Sequence, residues 1–203
     1  MKDSLMFIIQ IGASDGKIDT HRVVDEVYTG VTEKGWNAVL VEPNPRHYEE
    51  LIRTYRGINT VILVKYAISD HNGSTDFYDC QMQGASTLIE SVLERNDYHD
   101  GKSKDYKKIV VDCMTISMLL DKYGVPDYLV IDAEGYDGTI LEMLDLDKYQ
   151  IPKIRFEFSH LEHGAIQQAQ LGRVCLKLIK AGYVLSHDKA DIIANFNRKQ
   201  KYE

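Results

Sequence analysis

Short apolar runs, each ending in a glycine or acidic turn and each followed by a segment of helical period, limit the folds open to this chain. The first run is Leu5 to Ile11, which closes on Gly12-Ala13-Ser14-Asp15-Gly16. Val24, Val27, Tyr28 and Val31 then share one helical face, and Gly35 is placed to end that helix. A second strand, Ala38 to Val41, ends at Glu42. Asn44 and Pro45 open the next helix as N-cap and first helical residue, with Tyr48, Leu51, Ile52 and Tyr55 turned inward. Thr60 to Tyr66 is the third strand. Further on, strands are predicted at Lys108 to Cys113, Asp127 to Ile131 and Ile154 to Phe158. The helices between them are a Thr115-capped one burying Ile116, Leu119, Leu120 and Tyr123, and one over Gly138 to Leu144. A long helix with Leu171, Val174, Cys175, Leu178 and Ile179 inward ends at Gly182. Strands alternating with helices predict an α/β fold, a Rossmann-like and mainly parallel sheet with helices on both faces. Too few residues separate Tyr183 to Ser186 from Ile192 to Phe196 for a helical crossover. Those two strands should close the chain as an antiparallel hairpin.

The middle of the chain is less regular. DHNGSTDFYD reads as a hairpin turn leading into an extended strand, Thr75 to Tyr78, and GASTLIES as a loop and short helix. Asn96 to Lys108 is polar and reads as a mobile loop or lid. Residues 79–108 are therefore expected to be a variable, acceptor-side insertion in a single domain spanning 1–203, a length that allows one sizeable core. The first strand begins almost at Met1, as it would in a domain excised from a longer chain.

A net charge of −7 argues against nucleic acid as the main partner, because phosphate neutralisation needs a basic face; KSKDYKK is read as a solvated loop. Cys80, Cys113 and Cys175 are odd in number and widely spaced, without a CxxC, so neither a zinc site nor a disulfide framework is expected. MKDSLMFII is too short and too polar for a signal peptide, and no apolar run reaches membrane-spanning length. The expectation is a cytoplasmic protein with reduced thiols.

Ligands of open parallel sheets bind beyond the carboxyl ends of the strands, near the reversal of strand order. Five segments should meet there: Gly12 to Gly16, Glu42 to Pro45, Ala67 to Asp70, Asp132 to Gly135, and Ser159-His160. Glycines 12 and 16 would let the backbone approach a ligand closely, and Glu42 would grip a ribose diol. GASDG lacks the middle glycine of a dinucleotide fingerprint, and Asp15 would sit badly beside a pyrophosphate. A rim carrying Asp15, Glu42, Asp132 and Glu134 suits a cationic ligand, and S-adenosylmethionine fits it better than NAD.

In order and spacing, IIQIGASDG, VEPNP, AISDHNG, VIDAEGYDGTILEML and FEFSH resemble the FkbM family of S-adenosylmethionine-dependent methyltransferases. Ser14-Asp15 and Val130 stand where members often carry Asn and Lys. The resemblance implies a seven-stranded class I methyltransferase sheet and O-methyl transfer to a hydroxyl of a sugar, glycan or similar small molecule. It also implies association with glycosyltransferase-type domains. Cofactor contacts are expected from Gly12, Ala13, Ser14, Asp15, Gly16, Glu42, Pro43, Ala67, Ile68, Ser69 and Asp132. Because an alcohol is a weak acid, a base or a metal is needed at its oxygen. Asp132, Glu134 and His160 are the catalytic candidates. Asp132, Glu134 and Glu157 are a candidate ligand set for Mg2+ or Mn2+. Two other readings stay open: a nicotinamide-dependent Rossmann oxidoreductase, and a non-catalytic cofactor-fold scaffold.

Overall fold

The computed structural model describes residues 5–17, 25–80, 85–94, 105–159 and 165–197. Its elements run β1 (Phe7–Ile11), α1 (Glu26–Lys34), β2 (Asn37–Val41), α2 (Pro45–Thr54), β3 (Val61–Val64), β4 (Ala67–Ile68), β5 (Gly73–Cys80) and α3 (Glu90–Glu94). They continue β6 (Tyr106–Met114), α4 (Ile116–Tyr123), β7 (Tyr128–Ile131), α5 (Asp137–Met143), β8 (Lys153–Glu157), α6 (Ala165–Lys180), β9 (Tyr183–Asp188) and β10 (Asp191–Phe196).

Seven strands form the main sheet in the order β3-β2-β1-β7-β8-β10-β9. Neighbours from β3 to β8 pair in parallel. β10 runs antiparallel to both β8 and β9, so the closing hairpin forms as expected. The chain winds outward from β1 to β3 and resumes at β7 on the other side of β1. The reversal of strand order therefore falls between the tips of β1 and β7.

Alternation of side chains along the strands builds two cores. On one face Ile8, Ala38, Leu40, Tyr128 and Val130 pack with Val27 and Val31 of α1 and with Leu51 and Tyr55 at α2. On the other, Ile9, Ile11, Val39, Leu129, Ile131 and Phe156 meet α4, α5 and α6 through residues such as Leu119, Ile140 and Val174. Each fully buried Leu, Ile or Phe contributes about 1.5–3 kcal/mol, so these cores fix where the strand tips lie. Capping follows the sequence pattern. Asn44 accepts from the Arg46 amide at 3.0 Å, Thr115 accepts from Met118 at 3.2 Å, and Gly35 ends α1 in the left-handed region. Val24, expected on the inner face of α1, lies outside the described residues. Ile179 on α6 is exposed, against expectation, while Val174 and Leu178 are buried.

The middle of the chain departs further from its sequence reading. β4, β5 and β6 form a separate three-stranded sheet in the order β4-β6-β5. The DHNG turn therefore makes no hairpin, because β4 and β5 pair with opposite edges of β6, one parallel and one antiparallel. β6 does not join the parallel sheet, and it begins at Tyr106, which places the end of the expected lid in a strand. The rest of that lid, 96–104, lies outside the described residues. Cys80 and Cys113 are buried and Cys175 is half-buried.

Candidate functional site

The loop after β1 is folded against the neighbouring strand. Gly12 and Ala13 both donate to the Val41 carbonyl, at 2.9 and 3.0 Å, and Gly16 closes the turn on the Ala13 carbonyl at 2.8 Å. From beneath, Thr54 donates to the Asp15 carbonyl and Tyr55 to that of Gly16, both at 2.8 Å. The glycines serve a tighter purpose than ligand approach. A Cβ on Gly12 would lie 1.8 Å from the Asp132 carbonyl oxygen, and one on Gly16 would lie 2.4 Å from Leu51. Both residues have positive φ, so the position is closed to other residues by conformation as well as by contact. The two glycines let the β1 loop sit directly against the β7 tip and α2.

Glu42 stands at the end of β2 and is 5% exposed. Its carboxylate accepts from the Ser14 amide at 2.8 Å and from the Asn44 amide at 2.7 Å. Burial pushes the Glu42 carboxyl up to about 7, against the downward pull of those two amides, and Asp79 adds to the rise. Pro43 is partly exposed beside it, and the Asp15 carboxylate turns back to accept from the Lys17 amide at 2.9 Å.

Asp132, Ala133, Glu134 and Gly135 follow β7. Burial raises the Asp132 carboxyl well above the ordinary carboxylate range, and Glu134, Glu157, Asp137 and Asp191 raise it further. Its Oδ1 is buried without a hydrogen-bond partner, as is the Ser14 hydroxyl across the strand reversal. Orphaned buried polar atoms are rare in folded proteins, and each asks for an explanation. Ser14 (φ 48°) and Glu134 (φ 49°) are also two of the three non-glycine residues with positive φ among the described residues. Backbone strain of this kind is costly and collects at sites of function.

Two buried acids and an amide that the sequence reading did not assign to the site hold it together. Asp137 is fully buried. It accepts from the Ala133 amide at 3.2 Å and the Glu157 amide at 3.3 Å, which ties the β7 tip to the end of β8. Its place at the start of α5, inside EGYDG, was the available signal. Gln10 points from β1 to the N-cap Asp25, at 3.0 Å. His47 is buried in the first turn of α2, and burial holds its imidazole below the usual range.

The structure places the remaining expected residues unevenly. Ala67 packs with Phe77, Val111 and Cys113, and Ile68 is sunk in the main core, so neither opens freely on the crest. Ser69 remains at the edge, where its amide donates to the Met114 carbonyl at 3.0 Å and the Tyr136 hydroxyl lies against it. Glu157 accepts from the Ser159 hydroxyl. Among the described residues no group of three or more His, Cys, Asp and Glu side chains is arranged to hold a metal ion. The expected set of Asp132, Glu134 and Glu157 is not among such groups, so the structure gives a metal at this rim no support. His160 lies outside the described residues. Among the described residues no helix is long and apolar enough to cross a membrane.

The fold, a seven-stranded sheet with one antiparallel strand near its edge, has counterparts in solved structures. The human methyltransferase 10 domain containing protein shares the fold at a TM-score of 0.50 and 11% identity, over 97% of this chain and 74% of that one. The METTL16 MTase domain does so at 0.50 and 10%, over 97% of this chain and 61% of its own. At such identities the likeness concerns the class I methyltransferase fold alone. Among curated proteins none matches this sequence. The model of the methyltransferase FkbM domain matches residues 10–185, and the chain belongs to the FkbM methyltransferase family.

Proposed function

We propose that this methyltransferase takes its methyl group from S-adenosylmethionine and places it on a hydroxyl oxygen of a sugar, glycan or similar small molecule. One observation carries the reading. At the strand reversal, a buried carboxylate ends β2 while two buried polar atoms, the Ser14 hydroxyl and Asp132 Oδ1, await partners. Such a crest has acceptors for ribose hydroxyls and a negative rim for a cation.

In this reading the loop of Gly12, Ala13, Ser14, Asp15 and Gly16 lies along the donor. Glu42 accepts from the ribose hydroxyls, with Pro43 setting the direction of the chain behind it. Ser69 borders the adenine, and Ala67 and Ile68 form the floor beneath. Asp132 faces the donor's positive charge. That charge would relieve the cost of an ionised carboxylate among four other acids. The donor, when bound, supplies a sulfonium-activated methyl group. The chain must then orient the acceptor, exclude water and receive the hydroxyl proton. Orientation alone can lower the barrier by about 7–11 kcal/mol, and a placed base adds roughly 10²–10⁴-fold. Asp132 and Glu134 are the proposed bases within the described residues, and His160 is the third candidate. A carboxyl raised by burial is the stronger base once ionised, which favours Asp132.

The same reading takes 1–203 as one methyltransferase domain, with 79–108 facing the acceptor. The net charge of −7 supports a small-molecule or glycan acceptor over nucleic acid. Three cysteines, odd in number and widely spaced, suit a cytoplasmic setting, and a glycosyltransferase-type partner would supply a hydroxylated glycan. Incubation with methyl-labelled S-adenosylmethionine and a panel of free and nucleotide-linked sugars tests the proposal. Label recovered in a methyl ether supports it. Label on nitrogen, or binding of NAD in place of the methyl donor, contradicts it.

A further inference from the structure

The three-stranded sheet is fastened to the crest by polar bonds at two points. The Asn44 side chain, fully buried, donates to Asp79 Oδ1 at 2.7 Å and to the Ser86 hydroxyl at 3.1 Å. Ser86 in turn accepts from the Cys80 amide at 3.0 Å, at the end of β5. The backbone amide of the same Asn44 donates to Glu42. At the second point, the buried Thr87 hydroxyl donates to the Glu134 carbonyl at 2.8 Å, on the loop after β7. Thr87 also pairs with Tyr78 of β5 through both backbone bonds. Ser86 and Thr87 are adjacent, so one short segment touches the tips of β2 and β7 and the end of β5 together.

We infer that Asn44 and Thr87 are positioning residues that couple the methyl-donor crest to the second sheet, so that donor binding tightens the acceptor side. The inference rests on the reading of the crest as a methyl-donor site. Hydroxyl donors arriving at Glu42 favour its ionised form. Its bonds from the Ser14 and Asn44 amides then become charge-assisted and stronger. Asn44 cannot be held more firmly without restraining Asp79 and Ser86, because one buried residue meets Glu42 through its amide and the other two through its side chain. Ordering of the β7 loop around the donor acts likewise on Thr87 through the Glu134 carbonyl. Coupling of this kind is reciprocal, so an acceptor that orders the second sheet raises donor affinity by the same factor.

Amide hydrogen exchange with S-adenosylhomocysteine as the probe tests the coupling. In the native protein, saturation should slow exchange in 73–80 and 106–114 by about fivefold or more, as well as at the crest. Thr87→Val should reduce the distant protection while weakening S-adenosylhomocysteine binding only a few-fold, and Thr87→Ser should restore it. Ser86→Ala, which keeps the Thr87 bond, should reduce the protection in 73–80 and serves if Thr87→Val does not fold. Tight binding with protection confined to 12–16, 42–44 and 132–135 would overturn the coupling alone. Retention of the full native pattern in Thr87→Val or Ser86→Ala would overturn it too. Absence of S-adenosylhomocysteine binding would overturn the donor site and the coupling together.

Discussion

The two sheets reach the same crest by different means. The seven-stranded sheet sets its tips with apolar burial: Ile9, Val39, Leu129 and Phe156 lie under the loops that carry Gly12, Glu42 and Asp132. The three-stranded sheet has a small core of its own in Ala67, Phe77, Val111 and Cys113, lends Ile68 and Met114 to the main core, and is tied to the crest by the buried polar bonds of Asn44, Ser86 and Thr87. Apolar burial is non-directional and gives a rigid platform. Buried hydrogen bonds are directional, so a change at one end can be felt at the other. A methyltransferase needs both, a fixed seat for a constant donor and an adjustable side for its acceptor.

The largest test of this contrast compares two glycines. Gly12→Ala on the main sheet should cost more than about 4 kcal/mol in urea unfolding, because the new Cβ would meet the Asp132 carbonyl. Gly73→Ala on the second sheet has equally unusual backbone, at φ 132°, but open space around it. It should cost about 1–2 kcal/mol. Equal losses would erase the distinction between a packed tip and an open edge. Next in size, Asn44→Ala removes a helix cap and two bonds to the second sheet. A loss of about 2–3 kcal/mol is expected, with faster exchange in β5 than in β1.

Acidity sharpens the contrast further. The Glu42 carboxyl is raised to about 7 in the folded chain, above its ordinary 4.5. The unliganded fold therefore binds the extra proton between those values. Its Glu42 contribution to stability is fully present below about 4.5 and is lost as pH rises through 7. Donor hydroxyls need the ionised form, so affinity should move the opposite way. S-adenosylhomocysteine binding should weaken by up to about tenfold for each pH unit below 7 and level off above it. A flat profile from pH 6 to 8 would separate Glu42 from the donor. The smallest effect belongs to the solvent side of the second sheet. Lys108 and Asp76 form an exposed pair at 2.7 Å, and Lys108→Ala should leave the urea midpoint unchanged within error.

The same division governs what could be read from the sequence. Five parallel strands, their helices and the closing hairpin announce themselves because burial on alternate faces imposes a period on the residues. Glu42 and Asp132 are legible as candidate site residues because each ends such a strand. β5 and β6 are legible as strands but not as a separate sheet, since their half-exposed, polar faces have a weak period and β4 contributes only Ala67 and Ile68. The roles of Ser86 and Thr87 come from contacts across 42 and 47 positions, which no local pattern records. Gly12 was recognised as special, but its reason lay 120 residues away in the carbonyl of Asp132.

If the crest seats the methyl donor, Glu42 is its ribose acceptor and binding depends on that carboxylate. Calorimetric titration of the native chain and of Glu42→Ala with S-adenosylhomocysteine at pH 8 measures this directly. One site per native chain is expected, with binding at least about a hundredfold weaker in the variant, as two hydrogen bonds to a charged group would give. Equal affinity in the two proteins, with both still folded, would contradict it.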